Sequence, residues 1–132
     1  MEKIVSPEAV LSHLKPGMSI FIGTGAAEPR TLVKHLMKSR AGNLEDLELI
    51  QLVSFGEAIS PETLRFQKSR LKTFFAGWAA DEAIKTGRID LIPSGFARIP
   101  KLIESENIRI NAAFIQVTPP DESGICSLGI AV

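Results

Sequence analysis

Short apolar runs alternate with amphipathic segments along the whole chain. Each run is bounded by turn residues, so each predicts a strand with little exposed surface. The last run, INAAFIQV, gives the clearest signal of a buried strand. The predicted strands cover residues 18–22, 47–53, 71–75, 89–92 and 110–117.

The segments between these runs carry helix signals. Ser6 can cap a helix that has Pro7 at its first position, and Lys15-Pro-Gly17 ends it. Further helices are predicted at residues 30–38, 79–86 and 97–105. In the helix at 30–38 the apolar residues share one side, which leaves His35 on the exposed side.

Alternating strands and helices predict an α/β fold, with a mainly parallel sheet flanked by helices and joined by right-handed crossovers. At 132 residues, without a repeat or a linker, residues 1–132 are predicted to form one domain. Ligands of such sheets collect beyond the carboxyl ends of the strands. The loops predicted at that edge are residues 23–28, 54–57, 77–78, 93–95 and 118–124.

Gly23 and Gly25 lie between the first strand and the helix at 30–38. Without a Cβ they let the backbone turn sharply and leave N–H groups open to an anionic or carbonyl oxygen. Gly23, Thr24, Gly25 and Ala26 are therefore candidate binding residues. A tight connection alone also explains the two glycines, because the third glycine of a dinucleotide motif is missing.

Composition removes several classes of protein. Fifteen basic residues balance 15 acidic ones, which does not favour nucleic acid as a partner. No apolar run approaches the roughly 20 residues that cross a bilayer, and the charged start Met1-Glu-Lys3 leads into no signal-peptide core, so we expect a cytoplasmic location without a membrane partner. One cysteine, Cys126, and two histidines give neither a disulfide nor a zinc site. Cys126 lies in an apolar stretch and is expected to be buried and unreactive.

Several acidic residues and one tryptophan have a structural explanation beside a functional one. Glu28 stands at a helix start, where capping explains it better than catalysis. Glu57 on the same edge could orient a substrate, although an exposed loop carboxylate is the simpler interpretation. The pair Asp121-Glu122 suits acid–base work, but a turn in which Asp121 bonds its own backbone is favoured. Trp78 could line a cleft or seal an edge of the sheet.

The last 23 residues carry the most specific motif, Thr118-Pro-Pro-Asp-Glu-Ser-Gly124 followed by Cys126-Ser-Leu-Gly129. Together with Gly23-Thr-Gly-Ala-Ala-Glu-Pro29, Phe74-Phe-Ala-Gly77 and Gly87-Arg-Ile-Asp-Leu-Ile-Pro93, it resembles the acetyl-CoA hydrolase/transferase family. That family includes the 4-hydroxybutyrate and acetate CoA-transferases. The resemblance covers most of the chain and implies a CoA-transferase-like half.

The resemblance implies the amino-terminal half of an enzyme whose nucleophilic glutamate belongs to the carboxyl-terminal half. A coenzyme A thioester and a small carboxylate would be its substrates, without a permanent cofactor or metal. No catalytic residue is then expected here, and the chain is expected to be a truncated or excised domain, inactive alone. The residues expected to line the cleft are Gly23, Thr24, Gly25, Ala26, Glu28, Gly77, Thr118, Pro119 and Pro120.

Two questions stay open from the sequence. Hydrolase and transferase activities are not separated, and a non-enzymatic module that binds a small phosphate or carboxylate, with a partner protein on its apolar edge, remains the alternative.

An exposed apolar patch is expected where the other half would pack, and a homodimer is expected to cover it. The patch residues are Phe96, Ile125, Leu128 and Ile130.

Overall fold

The computed structural model describes residues 4–53, 59, 64, 68–77 and 81–129. Five strands in this part form one sheet in which every neighbouring pair is parallel. The strands are β1 (Ser19–Ile22), β2 (Glu48–Val53), β3 (Arg70–Phe75), β4 (Ile89–Leu91) and β5 (Ala112–Phe114), and the helices are α1 (Pro7–Leu11), α2 (Arg30–Lys38), α3 (Asp81–Lys85) and α4 (Ile99–Glu104). The predicted α/β fold with a parallel sheet is confirmed.

The strand order is β4-β3-β2-β1-β5. From β1 the chain therefore moves to one side through β2, β3 and β4, and then returns to place β5 on the other side of β1. The register of the last pair joins Phe21 to Ala113 and Ile22 to Phe114. This reversal of direction between β1 and β5 is the topological switch point of a doubly wound sheet.

Apolar clusters cover both faces of the sheet. On the face that we call face A, helices α1, α2 and α3 contribute Leu11, Leu36 and Ala83 to the larger cluster. On the opposite face, face B, α4 contributes Ile99 against Ile50 and Phe74. Helices that connect strands in the outward direction thus lie on face A, and the helix of the return connection lies on face B. Crossovers of a single hand require this division.

No helix in the described ranges is both long enough and apolar enough to span a membrane.

Strand β5 is less buried than predicted. Phe114 is the one buried residue of the strand, Ala113 is exposed, and Ile115 and Val117 beyond it are each 41% exposed. The prediction of a buried strand over 110–117 was wrong because an apolar run does not reveal the position of its strand in the sheet. β5 lies at the edge with β1 as its described neighbour, and the buried part of the face B cluster lies over β2 and β3.

Helix α1 is fixed at its first turn. The Ser6 hydroxyl accepts a hydrogen bond of 3.2 Å from the Ala9 amide, which confirms the predicted cap. Glu8 Oε1 lies 3.5 Å from Nε2 of His35 on α2, whose ring is exposed as predicted. The backbone N–H of Glu8, the Ser6 hydroxyl and the charge on His35 together lower the pKa of the Glu8 carboxyl.

This lowered pKa predicts a pH-dependent contribution to stability. A carboxyl whose pKa is lower in the folded state stabilises the protein above its unfolded-state pKa of about 4.3, and the contribution disappears as the pH falls through the folded-state value. We expect Glu8→Gln to be less stable than the wild type at pH 7, with the difference shrinking below about pH 4.3. Urea denaturation of both proteins across this range measures it, and a difference independent of pH would contradict it.

Candidate functional site

Two loops leave the carboxyl edge of the sheet at the switch point. The first, residues 23–29, follows β1 and is called the glycine corner. The second, residues 115–129, follows β5 and is called the β5 tail. The two strands end side by side, because the Gly23 amide donates a hydrogen bond of 3.0 Å to the Phe114 carbonyl. In open α/β sheets this crevice is the usual ligand site.

Gly23 makes the sharp turn out of β1 possible. It is buried, and a Cβ at this position would lie 2.8 Å from the carbonyl oxygen of Ala27. Gly25, two residues on, has φ +62°, in the left-handed region that favours glycine. Both glycines are therefore required by the path of the backbone, as the structural interpretation of the sequence proposes.

The glycine corner uses some of its amides and leaves others unused. A short 3₁₀ turn covers Gly25–Ala27, and its Ala27 amide donates to the Thr24 carbonyl at 3.2 Å. The amides of Thr24, Gly25 and Ala26 donate no hydrogen bond to another described residue. Ala26 is exposed and Gly25 half-buried. The corner thus holds three amide donors that have no acceptor among the described residues.

The side chain of Thr24 ties the corner to the neighbouring strand. Its hydroxyl donates a hydrogen bond to the carbonyl of Val53 at the end of β2, and accepts one of 3.2 Å from the Val53 amide. The Thr24 side chain thereby continues the contact between β1 and β2 beyond Phe21 and Ile50, the last pair of residues in register between these strands. The Thr24 hydroxyl positions the backbone of the corner.

Glu28 does not occupy the position that the capping interpretation gives it. The N-cap of α2 is Pro29, and the Glu28 carboxylate turns towards the sheet, where Oε1 accepts a hydrogen bond of 3.4 Å from the Gln51 side-chain amide. Oε2 lies 4.0 Å from Nε of Arg30, and the side chain is only 10% exposed. The nearly buried carboxylate is thus held beneath the corner rather than in solvent at the helix start.

Gln51 is the residue of this site that sequence reasoning missed. It is buried at 3% exposure, on the same face of β2 as Leu49. A buried polar side chain needs a hydrogen-bond partner, and here the partner is the Glu28 carboxylate. The sequence did contain a sign of it, because Gln51 is the one uncharged polar residue inside the apolar run 47–53.

The β5 tail folds back on itself. The Asp121 carboxylate accepts hydrogen bonds of 2.9 Å from the amides of Ser123 and Ile125, and Gly124 has φ +78°. These contacts confirm the turn interpretation of Asp121. They also explain why the motif combines an aspartate with a glycine three residues later.

Thr118, Pro119 and Pro120 are all exposed at the start of this turn. The Thr118 amide donates to the Ser127 carbonyl, and its hydroxyl accepts from the Ser127 amide, both at 2.9 Å. The three residues therefore follow the strand next to the corner, while the hydrogen bonds of Thr118 stay inside the tail. Their contact with a substrate stays a prediction.

Cys126 is exposed, so the expectation of a buried thiol was wrong. Its apolar neighbours explain the error, because Ile125 is 67% and Leu128 46% exposed in the tail. Phe96 of the predicted patch is also exposed, at 66%, and Ile130 lies outside the described residues. Burial was predicted for the Cys126 thiol alone, and the exposure predicted for Phe96, Ile125 and Leu128 is found.

Other candidates are farther from the switch point or outside the described residues. Gly77 is half-buried after β3, two strands from β1, which corresponds to about 10 Å. Glu57 and Trp78 lie outside the described residues. Within the described part of the chain, no three His, Cys, Asp or Glu side chains are grouped so that they could hold a metal ion.

Comparisons with known proteins define the family of this chain. The family model of the acetyl-CoA hydrolase/transferase N-terminal domain matches residues 1–132. The chain belongs to this family, as the motifs in the sequence imply.

Curated relatives are CoA transferases. The chain is 28% identical over 130 residues to the 4-hydroxybutyrate coenzyme A transferase of Clostridium kluyveri, covering 98% of this chain and 30% of that protein. It is 36% identical over 126 residues to the succinyl-CoA:acetate/propanoyl-CoA:succinate CoA transferase of Fasciola hepatica, covering 95% of this chain and 26% of that protein. The chain thus spans less than a third of the length of either relative.

Solved structures share the fold. RipA from Yersinia pestis superposes with a TM-score of 0.75 at 24% identity, over 94% of this chain and 31% of that one. The 4-hydroxybutyrate CoA-transferase from Porphyromonas gingivalis gives a TM-score of 0.53 at 22% identity, over 92% of this chain and 26% of that one.

The close approach at Gly23 predicts that a single methyl group is not tolerated there. Gly23→Ala places Cβ against a backbone carbonyl, so the corner must shift, and we expect a loss of about 1–3 kcal/mol in the free energy of unfolding. Gly42→Ala is the matched control, because nothing lies within 4 Å of its added Cβ. Urea denaturation of both variants measures the difference, and equal stabilities would refute the tight packing of the corner.

Proposed function

We propose that this chain is the amino-terminal domain of an acyl-CoA:carboxylate CoA-transferase or acetyl-CoA hydrolase and forms one wall of the acyl-CoA cleft. Membership of the family and the names of the two curated relatives support the chemistry. The single observation that carries the cleft wall is the set of unused amides of Thr24, Gly25 and Ala26 at the switch point.

The proposed ligand groups follow from these donors. Backbone N–H groups bind oxygen acceptors, and both substrates of such an enzyme have them: the thioester carbonyl of acyl-CoA and the carboxylate of the acceptor acid. The glycine corner would orient the acyl end of one or the other. Thr118, Pro119 and Pro120, after the adjacent strand, would form the second lip of this wall, and Gly77 would border it farther along the edge.

Glu28 would act by positioning the corner. Its carboxylate is fixed against Gln51 at 3.4 Å, and its backbone carbonyl accepts from the Arg30 amide at 2.8 Å, so it joins the corner to β2 and to the start of α2. The proposed nucleophile, a glutamate, would come from the carboxyl-terminal part of the full-length enzyme. It would attack the thioester carbonyl carbon and expel CoA as a thiolate, forming an acyl-glutamyl anhydride.

The thiolate would then attack the glutamyl carbonyl of the anhydride, release the acyl group as a carboxylate and leave CoA as a thioester on the glutamate. In a transferase a second carboxylate would attack that thioester, expel CoA as a thiolate and form a new acyl-glutamyl anhydride; the thiolate would then attack the acyl carbonyl, giving the new acyl-CoA and the free glutamate. In a hydrolase water would attack the thioester and release CoA and the glutamate. We propose a cytoplasmic location for the enzyme and self-association of the isolated domain.

Assays on the isolated chain test whether the proposed nucleophile belongs to another part of the enzyme. We expect residues 1–132 to give no acyl transfer from acetyl-CoA to carboxylates above the uncatalysed rate, because the proposed nucleophile lies in the remaining polypeptide. Thiol release and product formation by chromatography measure it, and turnover by the pure chain would refute it.

Calorimetric titration with CoA, acetate and simple nucleotides is the companion measurement, in which tight binding of a nucleotide or phosphate alone would favour the binding-module alternative.

A larger side chain at Ala26 tests the cleft wall in the full-length enzyme. Ala26 is exposed beside the unused amides, so Ala26→Leu should obstruct the acyl end without disturbing the core. We expect kcat/KM for acyl transfer to fall about tenfold or more, which corresponds to about 1.4 kcal/mol of transition-state stabilisation. Ala41→Leu, at another exposed position where α2 leads into β2, is the control and should change little. Equal activity of the two variants would remove the corner from the cleft.

A further inference from the structure

A basic cavity opens at the edge of the sheet where the strands begin. Its volume is about 520 Å³, and its charged lining residues are Lys68, Arg70, Arg88 and Asp90. Arg70 is the first residue of β3, and Arg88 directly precedes β4. The six residues of β3 correspond to about 20 Å. The cavity therefore lies at the opposite end of the strands from the glycine corner and is separate from the proposed cleft.

The two arginines of this cavity are neighbours. Leu71 of β3 is in register with Ile89 of β4, so Arg70 and Arg88, each one position earlier in the chain, lie side by side. Neighbouring strands are about 4.8 Å apart. Both arginine side chains are exposed, and both line the same cavity. Two positive charges at this spacing repel each other, and an anion held between them removes the repulsion.

The acidic residue beside Arg70 pairs with a different cation. Glu48 of β2 is in register with Arg70, but its Oε2 atom lies 2.7 Å from Nζ of Lys72. In the described part of the chain, neither Arg70 nor Arg88 has an ion-pair partner. The sheet thus neutralises a lysine and leaves two adjacent guanidinium groups without a carboxylate of the described residues.

We propose that this cavity binds a small molecule through a phosphoryl group, which Arg70 and Arg88 hold between them with Lys68 as a third donor. Guanidinium groups bind phosphoryl oxygens in bidentate pairs, and a phosphoryl group carries close to two negative charges at pH 7. A carboxylate has one negative charge and would leave one arginine unneutralised. The cavity volume lies within the range of about 300–1,000 Å³ that is usual for small-molecule sites, so it has room for an organic group beside the phosphoryl group.

Two further charges affect the affinity of this site. Nζ of Lys68 lies 3.5 Å from Oε2 of Glu45, and both side chains are more than half exposed. An exposed ion pair contributes little to stability, so little is lost when the Lys68 ammonium group turns to a ligand. The Asp90 carboxylate also lines the cavity and repels an anion there. Loss of the arginines is therefore expected to weaken binding, and loss of the Asp90 charge to strengthen it.

Calorimetric titration of the full-length enzyme with inorganic phosphate tests the site. We expect Arg70→Gln/Arg88→Gln to bind phosphate about tenfold more weakly than the wild type, because two charge-assisted contacts are lost. Arg98→Gln/Arg109→Gln is the matched control, since it removes the same charge from two exposed arginines outside the cavity, and it should bind like the wild type. Equal weakening in both double variants, or no binding by the wild type at millimolar phosphate, would overturn the proposal.

Two other variants separate ligand binding from a structural role. Arg70→Lys/Arg88→Lys keeps both charges and loses the bidentate geometry, so its affinity for phosphate should lie between those of the wild type and the glutamine variant. Asp90→Asn should bind phosphate about threefold more tightly, because one repulsive charge is removed. Unchanged or weaker binding by Asp90→Asn would contradict the position of the anion in this cavity.

Thermal unfolding gives a second readout. Without phosphate, Arg70→Gln/Arg88→Gln should unfold at or above the midpoint of the wild type, because the repulsion between the arginines is gone. Phosphate should raise the midpoint of the wild type more than that of this variant. A variant that unfolds several degrees below the wild type without phosphate would show that the arginines stabilise the fold by themselves, and this would refute the repulsion on which the proposal depends.

The inference does not rest on the proposed function. A protein whose phosphate binding depends on Arg70 and Arg88 but which transfers no acyl group would refute the proposed function alone. Phosphate binding that survives the loss of both arginines would overturn this cavity as the site and would favour the binding-module alternative at the glycine corner.

Discussion

The parallel contact between β1 and β5 is the constraint on which the rest of the structure depends. The hydrogen bond from the Gly23 amide to the Phe114 carbonyl makes the two strands end at the same level. The chain runs from β1 towards β4 in one direction and comes back across the sheet to β5 in the other. The loops that follow β1 and β5 therefore leave the sheet on opposite sides of one crevice. A different strand next to β1 would separate the glycine corner from the β5 tail.

Local sequence signals predicted most of the fold. Helix α2 has the predicted bounds, residues 30–38, and the Ser6 cap and the Asp121 turn form the predicted hydrogen bonds. These features depend on contacts within a few residues, which the sequence displays directly. Strand order depends on long-range pairing, and for that reason the edge position of β5 could not be predicted from an apolar run.

In the candidate site, too, local features were predicted and long-range contacts were not. Gly23 and Gly25 were recognised because their conformations are encoded by the missing side chain itself. The Gln51–Glu28 contact joins residues 23 positions apart, and the sequence offered only a polar residue in an apolar run. The exposure of Cys126 was missed for a related reason, since apolar neighbours predict burial only where another element covers them.

The engagement of the Thr24 hydroxyl has a consequence for selectivity. A hydroxyl has a single proton, and here it is directed to the carbonyl of Val53, so Thr24 has no proton left for a bound molecule. The donors of Thr24, Gly25 and Ala26 that have no acceptor among the described residues are then main-chain amides alone. Amide donors favour a group with lone pairs, such as a carbonyl or carboxylate oxygen, and disfavour an ammonium group, which has protons to donate and no lone pair to accept.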